Sequence, residues 1–125
     1  MSLRAVATDD APSAIGPYSQ GIDAGNLVFV AGQVGRDPVS GDLADDIEGQ
    51  TERAMKNIQA ILEAAGLTWA NVAKTTCLLA NIEDFQAFNA VYVNFVSEPR
   101  PARATYAVKA LPGGALIEIE AFAVR

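Results

Sequence analysis

Three charged residues near the end of the chain are candidates for ligand binding or acid–base catalysis. Arg103 lies near the start of "PARATYAV", residues 101–108, an otherwise apolar stretch that reads as a β-strand. Arginine is rarely buried without a partner, and its planar guanidinium can hold a carboxylate through two parallel hydrogen bonds. We therefore expect Arg103 either to bind a ligand carboxylate or to form an ion pair with Glu118 or Glu120 on a neighbouring strand.

The two glutamates belong to "ALIEIEAFAV", residues 115–124, which is typical of a strand. Alternation places Glu118 and Glu120 on the same face, ~6.6 Å apart along the strand. Such a pair can divide acid and base roles, or it can simply form a solvated or ion-paired strand face. A glutamate partly buried beside Phe122 would have a raised pKa and could act as a base toward water.

Two further positions are candidates because of their local setting. Tyr18 follows Pro17 in "GPYSQG", so its hydroxyl could donate to a substrate, or its ring could cover the core. Gly32 stands inside the predicted strand "NLVFVAGQV", where glycine is expected only if something approaches the backbone closely. Cys77, by contrast, is predicted to be a small core residue.

Composition excludes several classes of function. The chain has no histidine, which rules out Ser-His-Asp and Cys-His catalysis and argues against a zinc site. Nine Lys and Arg against fifteen Asp and Glu, with no basic run, argue against a nucleic-acid groove. There is neither an apolar run of membrane-spanning length nor a signal pattern, and the single cysteine fits a reducing compartment. We expect a soluble, cytoplasmic protein.

The remaining patterns predict one α+β domain over residues 1–125, in the order β-β-α-β-α-β-β. Apolar residues at helical spacing predict a helix over 46–65, with Asp45 or Asp46 as its cap and Gly66 as its stop. The other elements are a short strand at 3–6, strands at 26–34, 71–81, 101–108 and 115–124, and a helix at 84–96. Two helices for about five strands predict one sheet with both helices on one face. The last strand is partly apolar on both faces, so self-association would cover the second face.

Six segments together resemble the RidA family, also known as the YjgF family and historically labelled L-PSP endoribonuclease. They are "AIGPYSQG", "VAGQVG", "NIQAILEAAGL", "FNAVYVNF", "PARATYAV" and "LPGGALIEIEAFAV". The resemblance implies a chorismate-mutase-like fold with one mixed sheet, assembled as a homotrimer with ligand clefts between subunits. It also implies hydrolysis of 2-iminobutanoate, 2-iminopropanoate and related 2-imino or enamine acids to 2-oxo acids and ammonia, with no cofactor or metal.

The resemblance also assigns roles to particular residues. Arg103 matches the arginine that holds the substrate carboxylate, and Glu118 matches the acid that orients or activates water. Tyr18 matches a tyrosine lining the cleft. Gly32 matches a backbone position near the substrate, and Asn89 matches a polar residue of the cleft wall.

Two positions depart from the imine-deaminase branch. Ala31 stands where that branch usually has serine, and Thr105, a predicted substrate contact, stands where it often has cysteine. Both substitutions change the pocket lining and bear on the range of substrates. Two alternatives therefore stay open: a non-catalytic module that binds or senses 2-oxo acids and, less favoured by the acidic composition, a ribonuclease or translation inhibitor.

Overall fold

The computed structural model describes residues 2–125, and this part of the chain forms one sheet of six strands with two α-helices. The strands are β1 Arg4–Val6, β2 Gly21–Asp23, β3 Leu27–Val34, β4 Val72–Leu79, β5 Ala102–Ala107 and β6 Ile117–Val124. The helices are α1 Ile47–Ala64 and α2 Phe85–Tyr92. The predicted α+β class, with one sheet and two helices, is confirmed.

The strand order across the sheet is β1-β2-β3-β6-β4-β5. Every neighbouring pair is antiparallel except β4 and β5, so the sheet is mixed. A parallel pair needs a crossover connection, and α2 lies within the one that joins β4 to β5. As a result β6, which carries Glu118, lies inside the sheet, whereas β5, which carries Arg103, is an edge strand.

The core lies between one face of the sheet and both helices. Helix α1 begins at the predicted cap, because the Asp46 carboxylate accepts a hydrogen bond from the backbone N–H of Gly49 at 2.8 Å. Its apolar stripe packs on alternate residues of β3 and β6 and against α2. Helix α2 is tied to β4 by a buried hydrogen bond of 2.7 Å between the hydroxyls of Tyr92 and Thr75. Burying each large apolar side chain stabilises the fold by roughly 1.5–3 kcal/mol.

The opposite face of the sheet has no helix on it and is rich in apolar side chains. On β3 and β6 the rings of Phe29 and Phe122 meet edge to face at 5.4 Å. Four large side chains on this face are exposed to between 39% and 51% of their full area: Leu27, Phe29, Tyr106 and Val124. The sequence-based prediction that this face carries apolar residues needing cover agrees with this exposure. We call it the free sheet face below.

Two details differ from the sequence-based prediction. Strand β2, Gly21–Asp23, was not predicted, because three residues next to a loop rich in proline and glycine carry little periodicity. Helix α2 ends at Tyr92 rather than residue 96, since the chain tightens into turns in which Phe95 N–H donates to the Tyr92 carbonyl. Neither helix in the described part of the chain has the length and apolar character needed to cross a bilayer.

Candidate functional site

Glu118 is placed by the pairing of the two central strands. It lies opposite Val34 of β3 in the antiparallel ladder, and the register between β3 and β6 shifts between Val30 and Gln33. Gly32 falls in this irregular stretch. A Cβ atom there would lie only 2.7 Å from Oε2 of Glu118, so the glutamate side chain lies directly over the backbone of Gly32. The Glu118 side chain of the same chain therefore makes the close approach to the backbone that we expected at Gly32.

The environment of Glu118 favours its neutral form. Partial burial raises the pKa of its carboxyl above the ordinary value, and the nearby charge of Glu120 raises it further. Within residues 2–125 no side-chain hydrogen bond or ion pair holds this carboxylate. A carboxyl with a raised pKa and free oxygens is suited to accept a proton from water.

Glu118 opens into a cavity of about 590 Å³ that we call the glutamate cavity, whose wall includes Tyr18, Gly32, Arg36 and Glu118. Tyr18 reaches this wall from the loop before β2, and the backbone N–H of Ile15 donates to its hydroxyl oxygen at 3.3 Å. The hydroxyl proton stays available to another acceptor. The structure thus brings the predicted residues Tyr18, Gly32 and Glu118 together at one cavity.

Arg36 is a lining residue that the sequence did not single out. The stretch "GRDPVSGDL" reads only as turn chemistry, and nothing local shows where a turn arginine will extend. In the structure its Nη1 donates to the carbonyl of Gly41 at 2.9 Å, and the guanidinium lies against the backbone of Gly113. The only signal in the sequence was a cation that follows Gly35, just after the predicted strand at 26–34.

Arg103 points to the helix side of the sheet and contacts α2. Its Nη1 donates to Oδ1 of Asn89 at 2.8 Å, which places that predicted residue beside it. Its guanidinium carbon lies 4.8 Å from the ring centre of Tyr92, 5.2 Å from Phe88 and 5.6 Å from Phe85. Cation–π contacts of this kind hold the charge without a counter-ion.

No carboxylate in residues 2–125 lies within ion-pair distance of Arg103. The alternative of an ion pair with Glu118 or Glu120 is therefore wrong for the single chain, because those side chains project from the opposite face of the sheet. Arg103 instead borders a second cavity of about 300 Å³, the arginine cavity, with Asn89, Tyr92 and Arg100. A guanidinium offers five N–H donors, and Asn89 takes one of them.

Thr105 lies on the same face of β5 as Arg103 but does not border either cavity in the single chain. Its partner across the ladder is Cys77, and its Oγ1 is buried with no hydrogen-bond partner among residues 2–125. Burial raises the pKa of the Cys77 thiol to about 11, against the smaller opposing effects of the Thr75 hydroxyl and the Arg103 charge. Cys77 is fully buried, in agreement with the prediction of a small core residue.

The single chain therefore divides the predicted site residues between two places. Tyr18, Gly32 and Glu118 line the glutamate cavity, and Arg103 and Asn89 line the arginine cavity. The first cavity holds a base and a hydroxyl donor, and the second holds a cation suited to a carboxylate. The two sets of residues lie on opposite faces of the sheet.

Comparison with known proteins identifies the family. The model of the family described as Endoribonuclease L-PSP matches residues 8–125. The RutC family protein y4sK of Sinorhizobium fredii is 50% identical over 121 residues, which span 95% of this chain and 95% of that protein. The 2-iminobutanoate/2-iminopropanoate deaminase of Homo sapiens is 46% identical over 123 residues, which span 98% of this chain and 90% of that protein.

Solved structures agree with this match. The crystal structure of Escherichia coli TdcF with bound serine superposes with a TM-score of 0.94 at 38% identity, covering 98% of each chain. The similarity runs through every strand and both helices that carry the site residues. The chain belongs to the Endoribonuclease L-PSP family, the group that includes the proteins named RutC and RidA.

Proposed function

We propose that this protein hydrolyses 2-imino acids, or their enamine tautomers, to 2-oxo acids and ammonia, without a cofactor or metal, as a 2-iminobutanoate/2-iminopropanoate deaminase. Two observations carry the proposal: Arg103 borders a cavity without a carboxylate partner among residues 2–125, and Glu118, whose pKa is raised, borders another. An α-imino acid needs a cation for its carboxylate and a base for the attacking water. The names of the human relative and of others at similar identity support the same reaction.

The proposed site lies between subunits of a homotrimer with the chorismate-mutase-like architecture. The free sheet face supports this assembly, since Leu27, Phe29, Tyr106 and Val124 would be buried against neighbouring copies. Such packing would bring the arginine cavity of one copy against the glutamate cavity of the next. The substrate would then be enclosed by two chains, neither of which holds a complete site.

Each residue has a defined part in the proposed mechanism. Arg103 and Asn89 hold the carboxylate and so fix the imine carbon next to Glu118. Glu118 accepts a proton from water as the water oxygen bonds to that carbon and the C=N electron pair moves to nitrogen, which is protonated by Tyr18 or a second water. The C–N bond then breaks as Glu118 returns its proton to the departing nitrogen, the hydroxyl proton of the intermediate passes to Tyr18 or the second water, and the carbonyl forms. Ammonia leaves, and both groups return to their starting protonation states.

The demand on the protein is modest, because free imines already hydrolyse in water. General acid–base assistance of roughly 10²–10⁴-fold would be ample. Gly32 contributes by leaving room for Glu118. Thr105 stays a predicted contact, and its unpaired Oγ1 would gain a partner if a ligand or water reached it through the assembled interface.

The test is a coupled assay in which a threonine dehydratase generates 2-iminobutanoate and release of 2-oxobutanoate is followed. Wild type should accelerate release, whereas Arg103→Met and Glu118→Gln should each lose most of the acceleration. Lys56→Met removes a cation from the outer face of α1 and serves as the matched control. If Arg103→Met accelerates release as well as wild type does, the assigned role of Arg103 is wrong.

A binding module without turnover is the second candidate. TdcF, which shares the fold, was solved with serine bound, so a small carboxylic acid can occupy a member of this family. This candidate predicts saturable binding of 2-oxobutanoate that Arg103→Met abolishes, with no effect of the wild-type protein on imine hydrolysis. Calorimetry beside the kinetic assay separates the two functions.

A further inference from the structure

Arg36 gives the glutamate cavity a cation of its own, separate from Arg103. Its side chain lines the same wall as Tyr18 and Glu118, and no carboxylate in the described residues lies within ion-pair distance of it. Much of the nearby wall is apolar and includes Pro12, Ile15 and Pro112. A cation in such a wall is unnecessary for a substrate with a small apolar side chain.

The fold holds Arg36 in a defined position. The buried amide of Asn57 on α1 donates from Nδ2 to the backbone carbonyl of Arg36 at 3.0 Å, and the backbone of Arg36 bridges to Leu43. At the other end of the side chain, Nη1 donates to the Gly41 carbonyl at 2.9 Å. Both the backbone and the guanidinium are therefore fixed, and the remaining N–H donors are free for an acceptor.

Gly113 creates the space that the guanidinium occupies. A Cβ atom on this residue would overlap Nη2 of Arg36, so any other residue here would displace the charge. The glycine also has φ of 65°, a backbone conformation in which side chains are disfavoured. The turn Pro112–Gly114 thus has a shape that seats Arg36 at the cavity wall.

We propose that Arg36 makes the glutamate cavity selective for 2-imino acids whose side chain ends in a second acidic group, such as 2-iminosuccinate and 2-iminoglutarate. This inference rests on the proposed deaminase function. Two unpaired arginines, each bordering a cavity, match the two carboxylates of a dicarboxylic substrate. Arg103 would hold the carboxylate next to the imine carbon, and Arg36 would hold the distal one.

The strength of the preference follows from the contact. A hydrogen bond between two charged groups in a partly enclosed site changes affinity roughly tenfold to hundredfold. Glu118 lies beyond ion-pair distance of Arg36, so it does not neutralise this cation. The distal carboxylate of the ligand would be its first anionic partner.

The experiment compares two imines made in situ by amino-acid oxidases, 2-iminoglutarate and 2-iminobutanoate, for wild type, Arg36→Met, Arg36→Lys, Gly113→Ala and the control Lys56→Met. The ratio of kcat/KM for the acidic imine over the neutral one should fall tenfold to hundredfold in Arg36→Met. It should fall in the same direction in Gly113→Ala, because the guanidinium is displaced. Arg36→Lys should recover part of the ratio, and Lys56→Met should leave it at the wild-type value.

Binding of the stable products, 2-oxoglutarate and 2-oxobutanoate, is measured by calorimetry with the same variants. If no imine is turned over but Arg36→Met selectively weakens 2-oxoglutarate, the deaminase proposal fails and the selectivity proposal stands. If Arg36→Met leaves both the kinetic and the binding ratios at wild-type values, selectivity at Arg36 is refuted. Equal loss on acidic and neutral ligands also refutes it, since Arg36 would then serve a group common to all substrates.

Discussion

Replacing Gly32 by alanine isolates the placement of Glu118. The added Cβ would lie 2.7 Å from Oε2, whereas ordinary contact begins at 3.4 Å, so the carboxylate must move by about 0.7 Å. A displacement near 1 Å of a reacting group can lower the rate by about 10²-fold. We therefore expect Gly32→Ala to lose roughly tenfold to hundredfold in kcat/KM for 2-iminobutanoate.

The same substitution should leave the fold intact. Gly32 does not have the positive φ that would make alanine strained, and the atom it meets is the far end of a flexible side chain. Removing a glycine also lowers the entropy of the unfolded chain, which stabilises by about 0.4–1 kcal/mol where the backbone conformation is compatible. The free energy of unfolding, measured by urea titration, should therefore change by less than about 1 kcal/mol.

A double-mutant cycle with Glu118→Gln decides whether the effect acts through the glutamate. If Gly32 matters only because Glu118 lies over it, the double variant should be no slower than Glu118→Gln alone. If the two losses in the logarithm of kcat/KM are additive, Gly32 has a role separate from the placement of Glu118, and this explanation is refuted. Full activity in Gly32→Ala would refute the placement of Glu118 as base.

Four further predictions concern the pH dependence of activity, the pH dependence of stability, thiol reactivity and assembly. Since burial raises the pKa of Glu118, the acid limb of the profile of kcat/KM against pH should have its midpoint above 4.5, and Glu118→Gln should remove that limb. The same raised pKa makes wild type lose stability as pH rises from the pKa of Glu118 in the unfolded chain through its pKa in the folded chain. Glu118→Gln should therefore gain stability relative to wild type at neutral pH but not below pH 4.5. An equal difference in the free energy of unfolding at both pH values would contradict this prediction. Burial raises the pKa of Cys77 to about 11, so a disulfide reagent should label the native thiol at least roughly hundredfold more slowly than the denatured one, and equal rates would contradict its burial. Phe29→Glu places a charge on the free sheet face beside Phe122 and should convert a trimer to monomers in analytical ultracentrifugation. The control Val39→Glu, in a fully exposed turn, should not change the mass. An unchanged mass for both variants would refute burial of the free sheet face.

Sequence patterns predicted the elements that depend on local periodicity. Helix α1 differs from the predicted range by one residue at each end, since its apolar stripe, the Asp46 cap and the Gly66 stop are all local signals. Strand β2 was missed because three residues cannot show alternation, and its place depends on pairing with β3. The end of α2 was overestimated because apolar residues continue through the turns that follow Tyr92.

The arrangement of the site was harder to predict from the sequence, because it depends on how the helices and strands pack together. The types and faces of Glu118 and Arg103 could be predicted from alternation. That Arg103 is held by Asn89 and three aromatic rings depends on how α2 packs on β4 and β5. Arg36 could not be found at all, because its side chain crosses from one turn to another more than seventy residues away at Gly113.

Subunit mixing tests whether two chains together complete the site. Arg103→Met and Glu118→Gln, each of which should keep little of the wild-type rate alone, are mixed in equal amounts, unfolded together and refolded into mixed oligomers. If the two residues act from neighbouring chains of a trimer, statistical assembly should restore about a quarter of the wild-type rate on 2-iminobutanoate. If they act from the same chain, the mixed oligomers stay as slow as the two variants alone, and a site shared between subunits would be refuted.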